Sequence, residues 1–123
     1  MSIVPITENL VDTVWGSDKP ARPAEKVFIL DIKYSGVSIQ DKFKKVSDKL
    51  RKKVDVLLVT TLDDIAWLLN LRGNDIKFNP IFFSYLLFHV SPNEEELSKV
   101  SLFINKDKVS DENVSAYLHE GNV

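Results

Sequence analysis

A helical apolar rhythm followed at once by a short valine-rich run is the feature that most constrains this chain. Ile39, Phe43, Val46 and Leu50 recur at steps of four, three and four, which places them on one face of a helix. Ser38 stands just ahead, with Asp41 three positions later, the spacing of a capping box with Asp in place of the usual Glu. The pattern predicts a helix over residues 39–52. Residues 54–60 are then apolar, rich in valine and of strand length, and predict a buried strand. Thr61 and Asp64 repeat the capping spacing before Ile65, Leu68 and Leu69, so a second, short helix is expected to stop by Gly73. Helix, strand and helix in that order begin an α/β pattern.

The rest of the chain extends the pattern. Residues 82–90 and 100–105 read as a hairpin-like pair of strands, and Ser91 with Pro92 is placed to start a single helical turn between them. Ser110 is placed to cap a last helix in which Val114, Tyr117 and Leu118 share a face, with Gly121 as its stop. Pro5, Gly16, Pro20 and Pro23 interrupt residues 4–30, so residues 1–26 are expected to be an irregular leading arm anchored by Leu10, Val14 and Trp15 on a neighbouring surface. The whole of 1–123 fits one domain. Its end falls where an α/β alternation would start another strand, and the expectation is a domain cut before that strand.

Composition narrows the function classes. Hydrophobic residues at 44% and charged residues at 28% describe a soluble globular balance. A net charge of −2 creates no field that would gather nucleic acid, and the basic residues within 42–53 interleave with apolar ones at helical spacing, which marks a solvated face. With no cysteine there is no disulfide framework or thiolate metal site, and a cytoplasmic location is expected. The longest apolar run, residues 81–90, is far short of the roughly 20 residues a spanning helix needs, so no membrane partner is expected. The first residues carry no basic and apolar leader of the secretory kind.

A hydrolytic two-metal site needs several carboxylates, usually with histidine, converging on one point. Only His89 and His119 are present; His89 lies in an apolar strand and reads as structural, and His119 sits near a helix C-terminus where a cation is favoured. Asp63 and Asp64 could be an acid/base pair, but the first turn of a helix is where carboxylates complement its dipole. Trp15 and Trp67 are expected to pack rather than stack on ligands. In the loop after the second helix, Arg72 offers a fork of donors suited to a carboxylate, Gly73 permits a left-handed or otherwise tight backbone, and Asn74 and Asp75 can bond the turn.

Two stretches carry a family resemblance: Asp64-Ile65-Ala66-Trp67-Leu68-Leu69-Asn70-Leu71-Arg72-Gly73 and Asn79-Pro80-Ile81-Phe82-Phe83-Ser84-Tyr85. With a weaker echo in Asn9-Leu10-Val11-Asp12 and Val14-Trp15-Gly16, they resemble the central, second domain of the cytosolic-type three-domain Xaa-Pro aminopeptidases. The resemblance implies an α/β fold of the creatinase/prolidase N-terminal type, a mixed β-sheet flanked by helices and related to the ribonuclease-H-like motif. It implies a parent metalloprotease that removes the N-terminal residue preceding proline, with two Mn²⁺ ions in a catalytic domain outside this segment and no cofactor within it. Catalytic and metal-ligating residues are therefore expected to be absent here. Asp64, Arg72, Asn74 and Asp75 are the candidates for contacts between domains or at the active-site rim. The implied partners are the flanking domains of the same polypeptide and, for the parent, a peptide with penultimate proline; a homodimeric parent is left open. Two rivals remain: a peptidase-like protein-binding module without parent activity, and a nuclease suggested by the ribonuclease-H-like motif, which would need acids from several strands around Mg²⁺.

Overall fold

The computed structural model describes residues 4–123. Met1, Ser2 and Ile3 lie outside the described residues, and with them part of the stretch read as lacking a secretory leader.

The leading arm is not wholly irregular. Helix α1, Leu10–Trp15, starts where the Asn9 side chain accepts the N–H of Val11 at 3.0 Å. It buries none of its residues, and Val14 is 90% exposed. The apolar residues expected to anchor the arm thus point away from this fold.

Strand β1, Phe28–Ile29, and the short helix α2, Ile32–Ser35, lead into helix α3, Ile39–Leu50. Ser38 caps α3 as expected: its hydroxyl accepts the Asp41 N–H at 3.1 Å and donates to the Asp41 carboxylate at 2.7 Å. The helix ends two residues before the expected boundary. Arg51 turns out of it, donating to the Ser91 carbonyl and meeting Asp48 and Glu94, and Lys52 follows at φ 65.

Strand β2, Val56–Val59, helix α4, Leu62–Leu69, and strand β3, Leu71–Arg72, come next. Strands β4, Tyr85–His89, and β5, Lys99–Phe103, form the expected hairpin, and helix α5, Glu112–Glu120, closes the order. The connection between β4 and β5 is not helical. Ser91 instead closes a local turn, accepting the Asn93 N–H at 3.1 Å while its own N–H donates to the Ser98 hydroxyl. The cap of α5 is also one residue later than expected: the Asp111 carboxylate accepts from Asn113 and Val114, and Ser110 donates back to the Asp107 carbonyl.

β1 pairs with β3, and β2, β4 and β5 form a three-stranded sheet in the order β2-β4-β5. These three ladders are all antiparallel, so no parallel pair lies among the described residues of this α/β fold. Alternation along the strands sends Leu57, Val59, Leu86, Phe88, Val100 and Leu102 to the core. There they meet Ile39 and Phe43 of α3, Ile65, Leu68 and Leu69 of α4, and Val114 and Leu118 of α5. Phe43 and Phe88 meet edge to face, with ring centroids 5.4 Å apart. Each such buried side chain contributes roughly 1.5–3 kcal/mol of hydrophobic stabilisation before entropy is subtracted.

Only one face of β2 is covered, the face of Leu57 and Val59, and that only in part. Val56 and Leu58 point to the sheet's other side, where Leu58 is 60% and Tyr85 is 62% exposed. The sequence predicts a strand covered on both faces; a one-sided helical layer leaves the second face open.

Candidate functional site

The residues of the two resembling stretches surround α4 and the loop that follows it. At the N-terminal end of α4, Thr61 is the N-cap residue but makes no side-chain bond to the helix backbone. Its hydroxyl instead donates to the Asp64 carboxylate at 2.6 Å. Asp63 and Asp64 occupy the first turn, where their charge complements the helix dipole. Asp64 is exposed, on the rim of an open groove of about 360 Å³ between α3, β2 and α4.

At the other end, α4 stops earlier than Gly73. Asn70 takes the left-handed conformation, φ 50 and ψ 33, and its N–H returns to the Ala66 and Trp67 carbonyls. Its Nδ2 donates to the Val37 carbonyl at 2.8 Å, and its own carbonyl accepts the Leu30 N–H at 2.8 Å. Asn70 therefore closes the helix and pins two loops at once. Its type carried the signal, because Asn is the non-glycine residue that most readily enters this region.

Two cations collect at this negative helix end. Lys42 is buried; its ammonium donates to the Trp67 carbonyl at 2.6 Å and to the Asn70 side chain, and lies 4.6 Å from the centre of the Trp67 ring. Burial first, and the nearby Arg72 guanidinium second, hold Lys42 below the ordinary lysine range. Arg72 Nη1 donates to the Ala66 and Leu71 carbonyls, both at 2.8 Å. One nitrogen of the fork thus caps the helix. Trp67, expected to pack, is 48% exposed and packs under the Lys42 ammonium.

Gly73 is required by close approach rather than by a left-handed backbone, since a Cβ there would lie 2.8 Å from the Cβ of Phe82. Asn74 is exposed. Asp75 is not: its side chain is fully buried, paired with the buried Lys108 ammonium, and its second oxygen accepts the Phe83 N–H at 2.6 Å. Lys108 also reaches toward the Glu25 carbonyl, and its own carbonyl accepts the Val27 N–H, so this pair ties the loop to the arm's exit. Lys108 carries no sequence pattern that singles it out. Beyond Asp75, Phe78 stands at φ 67 and is 95% exposed.

The structure does not gather the four candidates. Asp64 lies in the first turn of α4, while Arg72 lies beyond the helix's other end and folds back onto the Ala66 carbonyl. Nor do the residues suit a two-metal centre. His89 lies on β4 within hydrogen-bonding distance of the Ser101 hydroxyl, 3.1 Å, and His119 lies in the last turn of α5. No group of three or more metal-ligating side chains occurs among the described residues.

An α/β domain with helices on one face of an antiparallel sheet and this helix-to-loop motif defines a recognisable class. The chain belongs to the creatinase/prolidase N-terminal domain family, whose pattern matches residues 18–123. It is 51% identical over 110 residues to a probable Xaa-Pro aminopeptidase P of Coprinopsis cinerea, a match that takes in 89% of this chain and 17% of that protein. A probable Xaa-Pro aminopeptidase P of Sordaria macrospora is 44% identical over 116 residues, covering 94% of this chain and 18% of the relative. In structure the chain matches the X-prolyl aminopeptidase of Caenorhabditis elegans, described as a cytosolic enzyme with a di-nuclear active site. The TM-score is 0.82 at 38% identity, over 98% of this chain and 18% of that one. The chain thus spans less than a fifth of the length of these relatives. No helix among the described residues is long and apolar enough to cross a membrane.

Proposed function

We propose that this chain is the central, non-catalytic domain of a cytosolic Xaa-Pro aminopeptidase, an enzyme that removes the N-terminal residue preceding proline. Its part is to hold shape: it spaces the flanking domains and forms a wall near the active-site entrance, limiting substrates to peptides with free N-termini. The two metal ions, Mn²⁺ in this reading, belong to a catalytic domain elsewhere in the parent polypeptide.

One observation carries the scaffold reading. The most distinctive polar residues of the motif direct their atoms at this chain's own groups: Asn70 at Val37 and Lys42, Arg72 at the end of α4, Asp75 at Lys108 and the Phe83 N–H. Groups so engaged fix a surface; they are not free to bind an ion or move a proton. Asp64 and Asn74 remain exposed and are the contacts offered to neighbouring domains. A second reading, a partner-binding module without peptidase activity, draws on the open apolar face of the sheet around Leu58 and Tyr85.

The 123-residue chain, incubated with an Xaa-Pro peptide and Mn²⁺, is expected to release no N-terminal residue. Turnover proportional to the amount of chain, and lost on chelation, would overturn the assignment.

A further inference from the structure

The end of α4 gathers more positive charge than it can neutralise. A helix C-terminus supplies only about half a unit of negative charge. Against it stand two full cations, Lys42 and Arg72. They are close enough that Arg72, second to burial, helps to hold Lys42 below the ordinary lysine range. Among the described residues no carboxylate forms an ion pair with either. The carbonyls at this end are also taken: Ala66 receives the Asn70 N–H and Arg72, Trp67 receives the Asn70 N–H and Lys42, and Leu69 receives the Tyr117 hydroxyl.

Lys42 has no donor to spare, since its ammonium is occupied by the Trp67 carbonyl, the Asn70 side chain and the face of the Trp67 ring. Arg72 does. A guanidinium carries five N–H donors in one plane. Nη1 gives its two to the Ala66 and Leu71 carbonyls, both at 2.8 Å, which fixes that plane. Nε and Nη2 share another edge. Neither meets an acceptor among the described residues, and neither is buried. Two parallel N–H groups on one rigid edge match the two oxygens of a carboxylate. Water solvates such an edge as well, but only an anion also offsets the second charge beside it.

We propose that the Nε–Nη2 edge of Arg72 is a carboxylate-binding site, oriented by the bonds of Nη1 to the helix end and favoured for an anion by the neighbouring Lys42. With one open edge and little more than one uncompensated charge, a monoanionic carboxylate fits better than a phosphate dianion. Two sources offer that group, the side chain of an Asp or Glu and the C-terminus of a peptide. A guanidinium keeps its proton and holds no metal, so nothing in this site requires the scaffold reading or conflicts with it.

The isotope-labelled 123-residue chain is titrated with sodium acetate, and in parallel with sodium chloride at matched ionic strength, while the Arg72 Nε–H signal is followed by NMR. Acetate is expected to shift that signal along a saturating curve, and chloride is not. Bound acetate should also raise the titration midpoint of Lys42, because a nearby negative charge favours the ammonium. Arg72→Lys keeps the charge without the planar edge and is expected to lose the saturating response. The titration of the unaltered chain decides the matter should that variant fail to fold. Two peptides identify the source: one ends in a free carboxylate and has no acidic side chain, the other is amidated and carries a single Glu. The one that saturates at lower concentration names it, and equal curves mark a site that takes either. A response to acetate no different from that to chloride overturns the proposal. So does a saturating shift centred on Lys44, Arg51 and Lys52 with Arg72 unmoved, a preference for inorganic phosphate over acetate, or a folded Arg72→Lys chain that binds acetate as tightly.

Discussion

Asp75 and Lys108 form a buried ion pair whose members are 33 positions apart, and its partners decide what each substitution does. Asp75→Ala strands a buried ammonium and the Phe83 N–H, and is expected to cost about 3–5 kcal/mol in denaturant unfolding. Lys108→Met should cost a comparable amount, and the double variant clearly less than the sum, the mark of direct coupling. Gly121 works through space: a Cβ there would lie 2.1 Å from Ile39 Cδ1, so Gly121→Ala is expected to destabilise by about 1–3 kcal/mol. Lys42, buried, and Tyr117, half-buried, give the stability a pH dependence near the alkaline limit. Lys42 is held below its ordinary 10.5, so the unfolded chain binds that proton more readily and stability rises as pH climbs toward 10.5. Burial raises Tyr117 above its ordinary 10.0, with the neighbouring Asn70 side chain partly offsetting the rise. The folded chain therefore keeps that proton longer, and stability falls as pH rises through and past 10.0. Denaturant midpoints followed from about pH 8 to about pH 11 should lose the rise in Lys42→Met and the fall in Tyr117→Phe.

At the scale of elements, caps and edges separate what the sequence reveals from what it hides. Asp111→Ala should cost about 1 kcal/mol by removing the oxygen that receives two N–H groups of α5, while Ser110→Ala should change the unfolding midpoint little. Ser38 and the apolar face of α3 were legible because capping and 3.6-residue periodicity are local rules. The hairpin of β4 and β5 was legible for the same reason, through its two apolar runs and the polar turn between them. The exposed face of β2 was not, since Val56 and Leu58 look like core residues and only the tertiary layer order decides which face is covered. That α4 ends before Gly73 was legible, but the residue that closes it was not: Asn70, not Gly73, takes the left-handed conformation there. Asp75 was legible as a special residue and not as a buried one, because its partner Lys108 is distant in sequence. Helix α1 escaped notice among prolines that flank it without entering it.

For the whole molecule, the family is shown, and the absence of catalytic chemistry from this chain is the proposed reading. The stretch around α4 and the following loop closes a helix and buries an ion pair. What the chain offers outward is shape: an open sheet face, the rim at Asp64 and the exposed Phe78. The central claim is that no group here is held in reserve for a metal. Titration of the chain with Mn²⁺, followed residue by residue through paramagnetic broadening of its NMR signals, tests that claim most directly. The account predicts weak, non-saturating broadening scattered over exposed carboxylates. Saturable binding of two ions, with broadening converging on one cluster that includes His89 or His119, would contradict it.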